Sequence, residues 1–377
     1  MTSKTIITNL LEDFDDEIKN SYIINDQKCY DDVFREGSLG LAESYIKCKW
    51  DMKLTSSITL DQLFDKIGIA DLITKLTEQS WYIKIYLFVM YIYNMISWQT
   101  IKSSKVVADA HYNLDKRLYN TMLSSDMMYS CAYFNKPDMT LNEAQLAKLD
   151  LIANKLKFKQ GMRVLDIGCG WGYACHYFND KYGVKVVGIT ISNEQYKYAC
   201  KNYPNVKYHL DDYRRLLNLD DEESFDAIYS IGMFEHVTSK HYKEFMEISH
   251  KMLKPGGLFL LHTIGGNTSN IVNDRFLEKY IFPNSMLPSL SDIAKSSEKL
   301  FIVEDVHNFG CHYDKTLMCW YNNFRDNLSE LDFLSIEFKR MWSYYLLSCA
   351  GTFRSKGCQL YQVVLSKERY EHYERVV

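Results

Sequence analysis

Two patterns of apolar and polar positions divide the chain. Up to about residue 100 the patterns are mixed and helical, and no nucleotide-binding motif interrupts them. From Gly161 onward short apolar runs alternate with helical segments, the signature of an α/β sheet. Strands are predicted at 163–166, 184–189, 206–209, 225–231 and 258–263, with helices at 173–182, 193–202 and 241–253. Apolar runs at 301–308 and 359–366 are placed to close the sheet. Lys254-Pro-Gly-Gly257 reads as a turn into the fifth strand, its glycines supplying the positive φ angles. The expected organisation is a small, mostly helical N-terminal domain at 1–98, a polar linker at 99–108 and an α/β domain at 109–377.

Within the N-terminal part, Glu36-Gly-Ser-Leu-Gly-Leu-Ala-Glu-Ser-Tyr45 carries two glycines that predict a turn or tight packing. The stretch from Trp81 to Trp98, WYIKIYLFVMYIYNMISW, is nearly long enough to span a bilayer. Lys84 and Asn94 interrupt it and many of its apolar members are tyrosines, which argues against a span. The expectation is a buried or interfacial helix, with peripheral lipid contact as a third option.

Composition narrows the class. A net charge of −4 gives no basic surplus to neutralise phosphates, which argues against nucleic acid as a partner. Ten cysteines are an even number, yet the first sixteen residues lack the basic and apolar regions of a secretory signal. Reduced thiols and a cytoplasmic enzyme are therefore expected. No CxxC pair or Cys/His run points to a metal.

The sharpest local signal is Val164-Leu165-Asp166-Ile167-Gly168-Cys169-Gly170-Trp171-Gly172. A strand ends at an acidic residue and turns through three glycines into a helix. Glycines let the backbone approach a ligand at the carboxyl end of the strands. A dinucleotide fingerprint wants its third glycine where this chain has Tyr173, and Asp166 would repel a phosphate. A carboxylate there suits the cationic amino group of S-adenosylmethionine. Thr190 and Gln195, after the second strand, are candidates for ribose hydrogen bonds, whereas Ser192 or Asn193 is equally a helix N-cap. Asp212, Tyr213 and Arg214 follow the third strand, where an adenine ring would lie; Tyr213 is a stacking candidate or an exposed tyrosine.

At this point the chain resembles the cyclopropane-fatty-acid synthase and mycolic-acid cyclopropane synthase families. The resemblance rests on Tyr129-Ser-Cys-Ala-Tyr-Phe134, the glycine loop, Thr190 to Gln195, Gly232-Met-Phe-Glu-His-Val237 and Leu261-His-Thr-Ile264. Tyr280-Ile-Phe-Pro-Asn284, His307-Asn-Phe-Gly310 and the stretch from Tyr344 to Arg354 add to it. The N-terminal extension points to the phospholipid-acting members. The resemblance implies a Rossmann-like class I S-adenosylmethionine-dependent methyltransferase sheet. It further implies methylene transfer to the cis double bond of unsaturated acyl chains in membrane phospholipids, through a carbocation that bound bicarbonate deprotonates. Cofactor residues implied are Tyr129, Ser130, Asp166, Gly168, Gly170, Gly172, Thr190, Gln195, Tyr213 and Arg214. Implied bicarbonate ligands are Cys131, Glu235, His262, the backbone of Ile264, and Tyr313. Cys349 falls where a nucleophile reading is inviting, but this chemistry needs no covalent step, so packing or groove lining suits it better. A homodimer in peripheral contact with the inner face of the membrane is implied as well.

One segment departs from the family pattern. Where the family reads close to His-Tyr-Asp-x-Gly-Asn, this chain has His111-Tyr-Asn-Leu-Asp-Lys116, at the border of the expected cofactor pocket. Alternatives are a fatty-acid C-methyltransferase with a methyl-branched product, a small-amine N-methyltransferase, and a non-enzymatic lipid-binding protein. An amine loses its own proton and needs no anion site, so Cys131, Glu235, His262 and Tyr313 together weigh against the second.

Overall fold

Nearly continuous apolar runs make strands that are covered on both faces, which is how parallel sheets are built. Seven strands form one sheet, the inner ones of this kind and the two edge strands, β3 and β6, partly exposed: β1 (Arg163–Ile167), β2 (Lys185–Thr190), β3 (Lys207–Leu210), β4 (Phe225–Ile231), β5 (Leu253–Gly266), β6 (Ile302–Asn308) and β7 (Cys358–Ser366). The structure, a computed structural model, describes residues 2–12, 14–68, 75–76, 78–96, 115–123, 125–219, 225–269, 273–368, 370 and 372–376. The expected linker at 99–108 and residues 111–114 of the departing segment lie outside these.

The strand order is β3-β2-β1-β4-β5-β7-β6. Pairs β1–β2, β2–β3, β1–β4 and β4–β5 are parallel, and β6–β7 is antiparallel. Neighbouring residues of a strand face opposite layers. Val164 enters a core with Phe178, Tyr229, Leu258 and Val364, while Leu165 and Ile167 enter one with Phe234, Phe245, Phe259 and Val363. The chain steps from β1 outward to β3 and then crosses to β4, so the sheet reverses direction between β1 and β4. A crevice opens at the carboxyl ends of strands at such a point.

Four helices matter to that crevice: α1 (Leu141–Lys155), α2 (Tyr173–Tyr182), α3 (Asn193–Asn202) and α4 (Tyr242–Met252). Thr140 and Glu143 close a reciprocal cap at the start of α1. The expected turn at 254–257 is instead a bulge within β5. Its register passes from Phe225↔Leu253 to Ala227↔Leu258, and Gly256 takes a φ of +71° there.

The second unit is helical. It comprises Met1–Trp98, but also Ile271–Pro283 and Tyr313–Cys358, which the sequence reading had placed in the α/β domain. The reason is packing: helix Ile336–Arg354 lies against helix Leu60–Ile67, and Arg354 pairs with Asp61 and Asp314 at 2.8 and 2.7 Å. In the two-glycine motif, Gly37 turns at φ +60° between helices Lys28–Glu36 and Ser38–Ile46. Gly40 lies so close to the Asp32 carbonyl that a Cβ would collide with it.

Trp81–Ile96 is helical. Of the two alternatives, buried or interfacial, the exposure pattern departs from the first. Ile83 is buried, but Trp81, Tyr82, Ile85, Phe88 and Val89 are exposed. They follow a helical spacing, so one apolar stripe faces outward. Among the described residues no helix is long and apolar enough to cross a membrane.

A Cβ at Gly351 would lie 2.7 Å from the Asp61 carbonyl oxygen and 2.8 Å from Phe64 Cβ. Gly351→Ala is therefore expected to lower stability by about 1–3 kcal/mol, read as a fall in the urea midpoint. An unchanged midpoint would refute this close helix packing.

Candidate active site

The glycine loop sits where β1 ends. Gly168, Gly170 and Gly172 all take positive φ, at +96°, +53° and +89°, a backbone that L side chains rarely adopt. Their surroundings differ. A Cβ at Gly172 would strike Ala199 and Tyr208, and one at Gly168 would strike Met233, whereas Gly170 faces open space. Gly232, at the end of β4, also turns at positive φ (+63°) into open space. Two backbone turns on either side of the switch point thus leave room for a ligand.

Asp166 is buried beneath the loop, where its Oδ2 accepts from the Cys175 thiol at 3.2 Å and Oδ1 has no partner. Burial pushes its carboxyl up to about 7. A cation at Oδ1 would satisfy the orphaned oxygen and return the group to its charged form. Thr190 donates to Gln195 Oε1 at 2.9 Å, and Ser192 accepts from the Gln195 N–H as the N-cap of α3. Tyr213 is buried edge-on to Phe245, 5.2 Å between ring centres. It is therefore a core residue rather than an exposed one. Arg214 forms a two-pronged pair with buried Asp212, both arms at 2.8 Å. Tyr129 lies edge-on to Tyr119 at 5.6 Å. Trp171, inside the loop, contacts Tyr198 at 5.2 Å.

A second cluster lies past the ends of β4 and β5. Glu235 sits in the turn after β4 and is only 6 % exposed. Its Oε1 accepts the Ile264 N–H at 2.7 Å, and Oε2 has no partner. The Ile264 N–H, expected to face the anion, here donates to the Glu235 carboxyl. Burial raises the Glu235 carboxyl to about 7, against the hydrogen bonds from Ile264 and Thr263. His262, on β5, is 1 % exposed. Burial, aided by the charges of Lys148 and Lys155, holds its ring well below the ordinary histidine range, so it is neutral. Cys131 is fully buried, with Sγ directed at the Ala132 carbonyl at 3.3 Å.

Sequence reasoning missed two members of this cluster. Gln362 on β7 is fully buried and its Nε2 lies 3.2 Å from His262 Nδ1. A donor at Nδ1 leaves the proton of the neutral ring on Nε2, which has no partner. Its signal was a polar residue amid an apolar strand. Lys148 on α1 donates to Ser130 Oγ and to Gln145 Oε1, each at 2.7 Å, while Gln145 Nε2 holds the Ser130 carbonyl at 2.9 Å. Beside His262, Phe309 (5.8 Å) leads into a ring cluster of Tyr133, His307 and His312. Tyr313 and Cys349 belong to the helical unit. Tyr313 stacks on Phe353 at 4.5 Å, and burial pushes the Cys349 thiol well above its ordinary range, which makes it a poor nucleophile.

Two buried atoms here have no partner, Glu235 Oε2 and His262 Nε2. One is a carboxyl oxygen that carries or accepts a proton, and the other is a ring N–H that donates. Among the described residues no cluster of His, Cys, Asp and Glu could hold a metal ion.

Comparison with known proteins bears on the same region. The sequence profile of the family described as mycolic acid cyclopropane synthetase matches residues 99–363. The chain is 45% identical over 339 residues to the cyclopropane-fatty-acyl-phospholipid synthase of Escherichia coli (strain K12), covering 89% of this chain and 85% of that one. It is 35% identical over 273 residues to a probable fatty acid methyltransferase of Pseudomonas putida, covering 68% of each. The crystal structure of mycolic acid cyclopropane synthase CmaA1 complexed with SAH and CTAB matches with a TM-score of 0.64 at 33% identity, covering 70% of this chain and 98% of that one.

The Glu235 carboxyl, raised from 4.5 to about 7, favours the protonated form in the fold. That preference stabilises fully below its ordinary value and is lost as the pH rises through about 7. Glu235→Gln stays neutral throughout. It is expected to raise stability at about pH 8 by on the order of 1–3 kcal/mol and to change it little near pH 5, measured as Tm. The same Tm difference at both pH values would contradict a buried, titrating carboxyl.

Proposed function

The chain belongs to the mycolic acid cyclopropane synthetase family and is an S-adenosylmethionine-dependent methyltransferase; from this we propose that it cyclopropanates the cis double bond of unsaturated acyl chains in membrane phospholipids. In this reading S-adenosylmethionine supplies the methyl group and bicarbonate supplies the base that takes up the proton released at ring closure. The observation that carries the anion is the pair of orphaned atoms, Glu235 Oε2 and His262 Nε2, both buried. A neutral His262, with its proton on Nε2, donates to an anion without competing for its proton. Glu235, anchored through Oε1 by the Ile264 N–H and favouring its proton, presents Oε2 to an oxygen of the anion. Ile264 thus acts through Glu235. Cys131 and Tyr313 enter the reading through their motifs.

An alkene is a weak nucleophile, so methyl transfer leaves positive charge on the acyl chain. Aromatic faces stabilise such charge without trapping it, and the rings of Tyr133 and Phe309 beside His262 suit that task. Asp166, with Oδ1 unpartnered under the glycine loop, fits the ammonium of the methyl donor.

The substrate also explains the outward apolar stripe of Trp81, Tyr82, Ile85, Phe88 and Val89. Aromatic and aliphatic side chains on one helical face suit the headgroup boundary of a bilayer. We place the enzyme in the cytoplasm, peripheral at the inner face of the membrane. As a homodimer it would engage lipid through two such stripes at once, which raises effective concentration.

Incubation with S-adenosylmethionine, bicarbonate and vesicles of monounsaturated phospholipid tests the reaction. The expected product is an acyl chain heavier by CH₂ and lacking the alkene, with the rate at least about 10²-fold lower in Glu235→Gln. A methylated chain that is still unsaturated or reduced would move the function to the branching enzymes, the reading that the Pseudomonas putida relative favours. An unmodified lipid would sink both.

Flotation with anionic liposomes tests the stripe. Ile85→Asp with Phe88→Asp is expected to lower the bound fraction at least fivefold. Undiminished flotation would sever the stripe from membrane contact.

A further inference from the structure

Lys148 is 1 % exposed, yet it forms no ion pair with any carboxylate among the described residues. Its two hydrogen-bond partners, Ser130 Oγ and Gln145 Oε1, are neutral. An ammonium has three donors, so one remains. A buried ammonium with no counter-charge is destabilising, and burial lowers the Lys148 ammonium to about 7, so a neighbouring anion would favour its charged form. Lys155, one face of α1 further on, shows the contrast: it is equally buried but has Asp305 at 3.2 Å. The charge that Lys148 lacks is missing at a particular place. Lys148 holds Ser130, the residue next to Cys131, and interacts electrostatically with both Cys131 and His262. His262 and Glu235, each with an unpartnered atom, are brought to one place by the backbone: the Gly232 N–H donates to the His262 carbonyl, and the N–H of Ile264, two residues on, donates to Glu235.

We propose that Lys148 is the counter-charge of the anion site, a positioning residue that holds a monovalent anion against His262 Nε2 and Glu235 Oε2. The inference rests on the bicarbonate reading and deepens it. One buried positive charge beside a neutral imidazole and a carboxyl that prefers its proton balances one negative charge. A neutral ligand would leave Lys148 uncompensated, and a dianion would overcompensate it. Through Ser130 the same ammonium fixes the segment that carries Cys131, so charge and geometry are set by one side chain.

Two substitutions in the full chain separate charge from clamp. Lys148→Met removes the charge and the hydrogen bonds. Lys148→Gln removes the charge but retains a donor toward Ser130. Binding of ¹³C-bicarbonate, followed by NMR line broadening on the purified protein, is the direct readout. Both variants are expected to weaken it at least tenfold, while S-adenosylmethionine binding stays within twofold in Lys148→Gln, which keeps the donor toward Ser130. In the lipid assay, activity should return at high bicarbonate, a rise in the bicarbonate KM with kcat largely preserved. Wild-type binding in Lys148→Gln would overturn the proposal and leave Lys148 a clamp. Binding unchanged in both variants would overturn it outright. If the wild-type protein itself binds no bicarbonate, the bicarbonate reading falls and takes this inference with it. Should Lys148→Met fail to fold, Lys148→Gln decides alone.

Discussion

Parallel pairing of β1 with both β2 and β4 is the constraint from which the site follows. A strand with parallel neighbours on each side, and cores on both faces, has no free edge and no free face. Only its carboxyl end is open, so functional groups collect there. The glycine loop ends β1, the Glu235 turn ends β4, and His262 lies far along β5. The register places Ile231 beside His262, and the Gly232 N–H donates to the His262 carbonyl at 2.9 Å, locking the end of β4 to β5. Glu235 and Ile264 then meet because β5 runs on past the end of β4, alongside the turn that carries Glu235.

Much of this was legible along the chain, because apolar runs and glycines act locally. Helices α2 and α3 have the bounds their patterns predicted, and the strand at 225–231 does too. The residues at 254–257 were misread for a physical reason. Pro-Gly-Gly signals a departure from regular backbone, but a bulge and a turn use the same positive φ, and only the partner strand tells them apart. The split of the chain into units was misread similarly. Helix Ile336–Arg354 follows the sheet in sequence, yet its glycine fits it to a helix nearly 300 residues earlier.

The candidate site was legible where residues work through their own chemistry, and illegible where they work through another's. Glu235, His262 and Cys131 stood out within motifs. Lys148 and Lys155 did not, because lysines on a helix face normally mark the solvent side, and here both are buried. Their spacing with Gln145 puts three polar residues on a face that points inward, the reverse of the usual amphipathic rule. Gln362 was hidden likewise: its side-chain amide meets His262, 100 residues away. Long-range partners leave no periodic trace.

Burying so many polar groups with incomplete partners works against the fold. Asp166 and Glu235 each keep an orphaned oxygen, His262 an orphaned nitrogen, and Lys148 a charge without an opposite. Any one of these is destabilising when the site is empty. Together they form a set in which each defect is the complement of a ligand feature. The Asp166 oxygen lacks a cation, and Lys148 lacks an anion. Nε2 of His262 lacks an acceptor, and Glu235 Oε2 lacks a partner for the proton it favours. A ligand of matching charge would relieve these unpaired groups, which the sheet, the turn after β4 and α1 hold between them. A preorganised polar site inside an apolar wall is also what a cationic hydrocarbon reaction requires: rings to face the charge, and fixed dipoles to receive the proton, with water kept away.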